Sequence, residues 1–386
     1  MTQKETHIIV VGGNYAGLNT MQYLFRTLLH SSAKASAPET VRITLIDQRT
    51  GFLHYIGITR GLTNTRYGET LWVPYSSIPW LRHPMITVVH GSVSEITHNK
   101  VIVDGDRELC FDYLVMAMGL GRPSPIGGCA RTQEDYVKEI TEACDYITRA
   151  QSVVVVGGGA VGIEMAADVK CEYPEKTVTL VHSHRLPLPG PFTDEFRHSI
   201  VDILANKMGI TLCLGHRVII GAEEPIGNDL TLSNSTKITA DCVIPCLGTT
   251  NRHQIINLGA GTCTPGGVRV LSTMQLPEHP HIFAIGDLAA YSEVKLAGPA
   301  MHNGYVAARN IARMVLRGHA NAKLEESPRF PAKILLLMGK HQWAMQMDKE
   351  IWDSEKVRQF VYDDMGLGVC IKALALDHVP EFEPLD

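Results

Sequence analysis

The chain has 386 residues, more than one ordinary domain of roughly 100 to 200 residues, so we expect two or three domains with separate cores. Hydrophobic residues make up 45% and charged residues 19%, a globular composition that excludes intrinsic disorder and collagen-like repetition. The formal net charge of -5 provides no field that would attract a phosphate backbone, so we expect no nucleic-acid partner.

The sequence pattern offers no segment that would direct the chain across a membrane. The longest apolar run, residues 153–163, is far shorter than the ~18 to 20 residues that cross a bilayer. The first seven residues lack a basic segment followed by an apolar one, and Thr2 stands where N-myristoylation needs glycine. Nine cysteines at irregular spacing are typical of reduced core thiols. We therefore expect a cytoplasmic protein, with association to a mitochondrion or a membrane surface left open.

The first predicted unit is a buried parallel strand that leads into a helix through a glycine-rich loop. Residues 8–11 are β-branched, and Leu18, Met21, Leu24 and Leu28 follow at helical spacing. In such a loop the first glycine allows a tight turn, the last lets helix and strand pack closely, and the helix N-terminus faces a phosphate. The loop residues are Gly12, Gly13, Asn14, Tyr15, Ala16 and Gly17.

Two residues near this loop bear on its ligand. Asn14 occupies the second glycine position, where a side chain would crowd a pyrophosphate but could also donate a hydrogen bond. Asp47 ends the next apolar strand, residues 41–47, and is a candidate acceptor for ribose hydroxyls. For one glycine loop alone, an ordinary strand-to-helix turn is the alternative.

A helix is predicted directly before the second unit. Thr132 is a candidate N-cap, and Tyr136, Ile140, Cys144 and Ile147 form an apolar stripe at helical spacing. The second unit begins about 145 residues after the first with four valines, residues 153–156. Its loop is a complete GxGxxG made by Gly157, Gly159 and Gly162, so the repeat predicts two related α/β units.

The strand that follows the second loop ends differently from its counterpart in the first unit. Residues 178–182 end in His182 where a carboxylate would read the ribose, and Arg185 comes three residues later. Imidazole and guanidinium groups tolerate the 2'-phosphate of NADPH, which a carboxylate would repel. These side chains could instead be solvated loop residues, so both NADH and NADPH stay open.

Four segments in this order resemble the flavoproteins with two dinucleotide-binding domains: the first loop, residues 111–119, the second loop with Glu164, and residues 282–287. Within that superfamily the chain is most similar to the short apoptosis-inducing-factor-like group that includes the ferroptosis suppressor proteins. It resembles type II NADH:quinone oxidoreductases more distantly. The resemblance implies an α/β fold in which one Rossmann-like domain binds FAD, an inserted second one binds NAD(P)H, and a small α+β domain follows.

The resemblance also implies boundaries and site residues. The FAD domain would span residues 1–122 and 248–326, the NAD(P)H domain 123–247 and the C-terminal domain 327–386. Cofactor contacts are implied for Arg60, Val93, Ala117, Gly119, Gly248, Gly286 and Asp287, the last of these at the FAD ribityl and pyrophosphate region.

Two residues are candidates for a direct part in catalysis, with a structural role open for each. Lys295 would place positive charge near the reduced flavin or the acceptor. Glu164 would orient the nicotinamide, while the cofactors supply the redox chemistry. Met118 stands where the family's turn carries a threonine, so a hydroxyl contact is lost there.

Other chemistries lack their residues. No cysteine pair has the CxxC or CxxxxC spacing of disulfide reductases, and we expect Cys242 and Cys246 to be buried core thiols. The 17 histidines form no HxxxH or HExxH arrangement, so we expect no metal site.

The last part of the chain bears on the electron acceptor. Residues 333–339, 343–347 and 369–374 are predicted to be short strands around a small helix. The final ten residues are acidic and broken by proline, unlike an amphipathic membrane-binding helix, so membrane contact would be peripheral at most.

An acceptor pocket could be lined by Phe52, Tyr55, Ile56, Trp72 and Trp80, with core packing as the alternative for each.

The sequence thus predicts an FAD-dependent NAD(P)H oxidoreductase that passes electrons to a quinone-like or other small acceptor. Two alternatives stay open. One is a redox signalling protein that binds flavin and NAD(P)H, and the other is a biosynthetic oxidoreductase with a specific metabolite substrate. A homodimer is left open as well.

Overall fold

A computed structural model describes residues 5–33, 40–219, 228–250, 253–292, 294–360, 364–383 and 385. Its strands are, in chain order, β1 Glu5–Val11, β2 Thr40–Asp47, β3 Gly51–Leu53, β4 Trp72–Pro74, β5 Ile86–His90, β6 Val93–Ile96, β7 Lys100–Val103, β8 Arg107–Cys110, β9 Tyr113–Met116, β10 Ser152–Val156, β11 Thr177–His182, β12 Thr211–Leu214, β13 Val218–Ile219, β14 Asp229–Leu232, β15 Lys237–Thr239, β16 Cys242–Pro245, β17 Cys263–Thr264, β18 Gly267–Val268, β19 Gln275–Leu276, β20 His279–Ala284, β21 Lys333–Met338, β22 Gln342–Met347 and β23 Glu350–Trp352. Its α-helices are α1 Tyr15–Ala33, α2 Ile58–Gly61, α3 Thr65–Glu69, α4 Gln133–Arg149, α5 Ala160–Glu172, α6 Asp194–Asp202, α7 Ala297–Arg317, α8 Ser354–Val357 and α9 Leu367–Ala373.

A six-stranded sheet carries the first glycine loop. Its order is β19-β20-β9-β1-β2-β5, and the strands pair in parallel except for β19 with β20. Every residue of β1 after Glu5 is buried, as expected for a β-branched strand that is covered on both faces. The sheet therefore joins strands from before residue 117 to strands from after residue 274.

A four-stranded parallel sheet carries the second glycine loop. Its order is β12-β11-β10-β16, which places the central β10 directly before the loop. Helix α4 leads into it, and the Thr132 hydroxyl caps that helix by accepting a hydrogen bond from the Asp135 amide at 3.1 Å. The predicted stripe is buried at Tyr136, Ile140, Cys144 and Ile147. The predicted fold class, α/β with two Rossmann-like units, is confirmed, while the domain boundaries stay predictions.

Helices α1 and α7 pack against each other at very short range beside the first loop. A Cβ added to Gly304 would lie 2.5 Å from the Ala16 carbonyl oxygen, so only glycine allows this approach. The Thr20 hydroxyl donates to that same carbonyl at 2.9 Å. The contact places the N-terminal end of α7 next to the first glycine loop.

The C-terminal part differs from the prediction in one element. Strands β21, β22 and β23 form an antiparallel sheet, but residues 369–374, predicted to be a strand, lie mostly in helix α9, so that prediction is wrong. The buried residues Leu367, Cys370 and Leu374 are three and four positions apart, which is the helical period. Gly366, at φ 80°, begins the helix with a backbone conformation that few other residues adopt.

The expectation of core thiols is only partly right. Cys110 and Cys129 are exposed, because β8 lies in a small surface sheet and Cys129 follows a loop. Cys242 is buried and Cys246 partly buried, and burial raises the pKa of each thiol to about 12. These two thiols are therefore protonated and unreactive at neutral pH.

Candidate functional site

The two glycine loops have the same geometry. Gly12 and Gly157 have φ values of 102° and 114°, a region that favours glycine. A Cβ added to Gly17 would lie 1.7 Å from the Gly12 carbonyl oxygen, and one added to Gly162 would lie 1.7 Å from the Gly157 carbonyl oxygen. Each loop thus turns tightly and then lets its helix pack directly on its strand, which leaves the helix N-terminus free for a phosphate.

The Asn14 side chain is held by the protein itself. Its Nδ2 donates to the Leu53 carbonyl at 2.9 Å, and its Oδ1 accepts from the Tyr15 amide at 2.8 Å. Because both polar ends are bound to the backbone, the side chain has a fixed orientation at the edge of the cavity described below. The sequence predicts that the Asn14 side chain would crowd a pyrophosphate. Because the side chain is held in one orientation, that crowding is limited to the space it occupies there.

Asp47 lies beside the first loop at the end of β2. Its Oδ2 accepts from the Gly13 amide at 2.5 Å, and its Oδ1 accepts from the Arg49 amide at 2.7 Å. Arg49 was not predicted, although a cation two residues after the acid is a signal that the sequence contains. Its Nε lies 3.6 Å from Asp47 Oδ1 without a hydrogen-bond partner among the described residues, while its Nη1 donates to the Tyr55 hydroxyl at 3.0 Å.

A cavity of about 1160 Å³ opens at the first loop and continues to the start of α5 and to β21. This is at or above the upper end of ordinary small-molecule pockets, so it has room for a dinucleotide and part of a second ligand. The predicted site residues that it brings together are Gly12, Asn14, Tyr15, Ala16, Asp47, Val93, Ala117, Gly119, Glu164, Gly286, Asp287 and Lys295.

Charged groups gather at one wall of this cavity. Asp287 Oδ2 lies 3.6 Å from Arg122 Nη2, and burial raises the pKa of its carboxyl although Arg122 and Lys295 oppose that shift. Lys295 Nζ donates to the Ala289 carbonyl at 2.7 Å, and burial lowers its pKa. Asp287 and Lys295 therefore stand close enough to interact on the side where α7 begins.

Glu164 reaches the same cavity from the second unit. Its Oε1 accepts from the Leu337 amide of β21 at 3.0 Å. Burial raises the pKa of its carboxyl to about 8, because the amide and the more distant Arg60 compensate only in part. Glu164 therefore holds a proton at neutral pH, and its hydrogen bond to β21 ties the second unit to the C-terminal sheet.

Arg60 lies outside the cavity lining. Its Nη2 donates to the Gly339 carbonyl at 3.1 Å, and its Nε lies 3.7 Å from Asp168 Oδ1. The Thr59 hydroxyl donates to the other oxygen of Asp168 at 2.8 Å. Arg60 lies outside the cavity because α2 packs on α5. Its guanidinium therefore points toward the second unit rather than toward the first loop.

The remaining predicted site residues fall into three groups. Gly13, Gly17, Gly159 and Gly162 shape the loops without lining the large cavity, and Gly157 and His182 line a smaller cavity beside the second loop. Arg185 and Gly248 are exposed and line neither cavity.

The apolar residues proposed for the acceptor pocket divide between the large cavity and the hydrophobic cores. Tyr55 and Ile56 line the large cavity. Phe52, Trp72 and Trp80 are at most 4% exposed and belong to the hydrophobic cores, so core packing, the stated alternative, holds for them. Residues of β21, among them Leu335 and Leu337, line the cavity instead.

Three absences can be stated for the described residues. Among those that line the large cavity there is a single cysteine, Cys129, so no redox-active pair faces it. Groups of three or more His, Cys, Asp or Glu that could hold a metal ion are not found in the described part of the chain. Within the same ranges, no helix is both long and apolar enough to cross a membrane.

Comparison with known proteins places this site in a family. Residues 6–304 match the model of the pyridine nucleotide-disulphide oxidoreductases. The chain belongs to this family. One relative, from Flammulina velutipes, is named an FAD-dependent oxidoreductase, and two solved structures of similar fold are bound to NADH and to NADPH, which agrees with the cofactors that the resemblance implied.

Within the family the chain is similar to several named proteins. It is 30% identical to oxidoreductase OXR1 of Ajellomyces capsulatus, over 98% of this chain and 90% of the relative. It is 26% identical to human ferroptosis suppressor protein 1, over 80% of this chain and 81% of the relative. Its fold is similar to that of a sulfide:quinone oxidoreductase from Aquifex aeolicus, with a TM-score of 0.70 at 16% identity over 98% and 93% of the two chains.

Proposed function

We propose that this family member is an NAD(P)H oxidoreductase that passes electrons through FAD to a quinone-like acceptor. The observation that carries the proposal is the shared cavity, which the first glycine loop, Glu164 of the second unit and the apolar β21 all line. The first nucleotide loop, the start of the helix that follows the second loop and one apolar wall thus converge on a single space.

The residues at the first loop fit FAD. The loop backbone and the N-terminus of α1 would hold the pyrophosphate, and Asp47 would accept from the ribose. The buried Nε of Arg49, which has no hydrogen-bond partner among the described residues, supplies a donor for the same end of the cofactor. When bound, the flavin supplies two-electron chemistry between the nicotinamide and the acceptor.

The wall opposite the first loop fits a neutral, apolar acceptor. Leu335, Leu337 and Met347 line it, and the exposed side chains of Ile56 and Phe330 lie at its edge. A flat aromatic molecule is bound by such surfaces mainly through burial of apolar area. A disulfide substrate is disfavoured because Cys129 is the one thiol among the described lining residues.

Anaerobic stopped-flow spectroscopy on the purified protein tests the proposal. We expect a yellow protein whose flavin absorbance is lost on addition of NADH or NADPH and returns with a panel of quinones faster than with oxidised glutathione or oxygen. Colourless protein that takes up no flavin would contradict the proposal as a whole. A reduced flavin that no quinone reoxidises would contradict the acceptor and favour the signalling or biosynthetic alternative.

A pair of leucine variants tests where the acceptor binds. Leu335→Asn places an amide in the apolar wall, so we expect a KM for quinone roughly tenfold higher and an unchanged rate of flavin reduction by NADPH. Leu271→Asn is the matched control, because Leu271 is 46% exposed and does not line the cavity. Equal effects of the two variants, or an effect of Leu335→Asn on flavin reduction alone, would contradict the assignment.

A further inference from the structure

A second, smaller cavity of about 280 Å³ lies beside the second glycine loop. Its walls are the ends of β10 and β11 together with Leu247, and its polar side chains are His182, Ser183, His216 and Arg217. None of the described residues that line it is acidic. The cavity therefore offers hydrogen-bond donors and positive charge, but no carboxylate.

The His182 ring has a defined tautomer, and its Nε2 has no hydrogen-bond partner among the described residues. The Gly158 amide donates to its Nδ1 at 3.0 Å, so the ring proton lies on Nε2. Burial, together with the nearby ring of His184, lowers the pKa of His182 to about 4, so the ring is neutral at pH 7. His182 is 7% exposed, and its buried Nε2 has no hydrogen-bond partner among the described residues. A buried donor without a partner destabilises the fold, and an acceptor on a ligand would recover that loss.

The first loop shows what this position does when it carries an acid. Asp47 accepts from the Gly13 amide at the end of β2, just as His182 accepts from the Gly158 amide at the end of β11. The two side chains thus hold equivalent places next to equivalent loops. A carboxylate there accepts from a ribose hydroxyl, whereas the Nε2–H of His182 donates and so favours an oxygen acceptor.

Arg217 supplies the charge. Its backbone is anchored to Ser233, which directly follows β14, because its amide donates to the Ser233 hydroxyl at 3.2 Å and its carbonyl accepts from the Ser233 amide at 2.8 Å. Its side chain is exposed, lines the cavity and has no ion-pair partner within the described ranges. Arg185, the arginine expected from the sequence, lies on the neighbouring loop and does not line the cavity.

We propose that this cavity holds the 2'-phosphate of NADPH, with Arg217 as its charged partner and His182 Nε2 as a buried donor, and that the protein therefore prefers NADPH to NADH. The inference rests on the proposed function, since it concerns the nucleotide that reduces the flavin. Ser183 and His216 complete the polar wall. Arg217 is separated from the second loop by β11 and β12, so no local motif contains it.

Calorimetric titration of the FAD-loaded protein tests this independently of turnover. The probes are adenosine 2',5'-bisphosphate and adenosine 5'-monophosphate, which differ by the 2'-phosphate and lack nicotinamide. We expect the bisphosphate to bind at least about tenfold more tightly, and Arg217→Ala to remove most of that difference while leaving the monophosphate within about twofold. Lys237→Ala is the matched control, because it removes an exposed cation from the same small sheet without touching the cavity.

The outcomes that overturn the inference are specific. Equal affinity of the unaltered protein for the two probes would overturn it, as would an equal loss of both probes in Arg217→Ala. Loss of the difference in Arg185→Ala instead of Arg217→Ala would assign the phosphate to the other arginine. Each of these results leaves the proposed function standing if NADH or NADPH still reduces the flavin, whereas a protein that holds no flavin contradicts the proposed function alone.

Discussion

At the residue scale, the buried acid Glu164 has an environment that favours its neutral form. The guanidinium of Arg60 lies near two carboxyl groups, those of Glu164 and Asp168, and it forms an ion pair with Asp168. Glu164 receives one backbone amide instead. Its carboxyl therefore stays protonated at pH values where an exposed glutamate is charged.

We predict that Glu164→Gln changes how stability depends on pH. The pKa of Glu164 is about 8 in the fold and ordinary when unfolded, so between about pH 4.5 and 8 the folded state binds more protons and stability falls as pH rises. Gln keeps an oxygen for the Leu337 amide but cannot ionise. From pH 5 to pH 8 the unaltered protein should lose roughly 2 to 4 kcal/mol relative to the variant, measured by urea unfolding at both pH values.

Glu142→Gln is the control for this measurement, since Glu142 is an exposed residue of α4. Its stability should follow the unaltered protein at every pH within about 0.5 kcal/mol. Parallel curves for Glu164→Gln and the unaltered protein would show that Glu164 ionises normally in the fold.

A second prediction at this scale concerns Lys295. Lys295→Ala removes a partly buried cation beside Asp287, and we expect the protein to keep its FAD while flavin reduction or reoxidation slows about 10- to 100-fold. Flavin content from the visible spectrum and stopped-flow rates give the two readouts. The exposed Lys323 gives the control, Lys323→Ala. Loss of FAD from Lys295→Ala would make Lys295 a structural residue.

At the element scale, the two strand–loop–helix units are equivalent in shape but differ in the residue that closes the next strand. The glycine contacts that pack α1 on β1 recur for α5 on β10. Asp47 and His182 hold equivalent places, and one offers an acceptor where the other offers a donor. We therefore expect the shared backbone geometry to serve two different nucleotides, because single side chains at the strand ends differ.

Because the two glycine loops have equivalent shapes in separate units, we predict that damage to one loop removes the binding of one nucleotide and leaves the other bound. Gly17→Ala would place a Cβ 1.7 Å from the Gly12 carbonyl oxygen, so we expect protein purified without FAD. Gly162→Ala creates the same clash at Gly157, so we expect FAD to stay bound while reduction by NADPH is lost. Gly266→Ala is the control, because a Cβ there meets only ordinary contacts beyond 3.7 Å. Loss of FAD to the same extent in Gly17→Ala and Gly162→Ala would contradict separate nucleotide sites.

At the scale of the whole molecule, a buried polar cluster connects α2, α5 and the residue that follows β21. Asp168 of α5 accepts from Thr59 of α2 and pairs with Arg60, which in turn donates to Gly339 after β21. Burial raises the pKa of Asp168 to about 6 in spite of Arg60, so the pair is largely ionised at neutral pH. The cluster therefore links the surroundings of the first loop, the second unit and the C-terminal sheet.

We predict that Asp168→Asn destabilises the whole protein. Asn still accepts from Thr59, but it removes the charge that pairs with the buried guanidinium of Arg60, at a cost of about 2 kcal/mol or more. Asp145→Asn removes an exposed ion pair with Arg149 and should change stability by less than about 1 kcal/mol. Urea unfolding followed by tryptophan fluorescence compares them, and equal midpoints would show that the cluster does not hold the molecule together.

The sequence by itself determined the features that depend on local pattern. The two glycine loops, the strands that precede them, the cap and stripe of α4 and the Asp at residue 287 are all contained in short segments, and their order identifies the family chemistry. Such features are predictable because backbone conformation and helix or strand period act over a few residues. Residues 369–374 are the exception, since a short apolar run fits either period until its neighbours show which side chains are buried.

Only the tertiary structure decided which side chains share a space. Arg60 points away from the first loop because α2 packs on α5. Trp72 and Trp80 are buried in the hydrophobic cores. Leu335 lines the cavity although its strand lies far along the chain. For the same reason Arg217, and not Arg185, lines the cavity beside the second loop. The direction of a side chain depends on packing between elements that are distant in sequence, and no pattern within one segment contains that information.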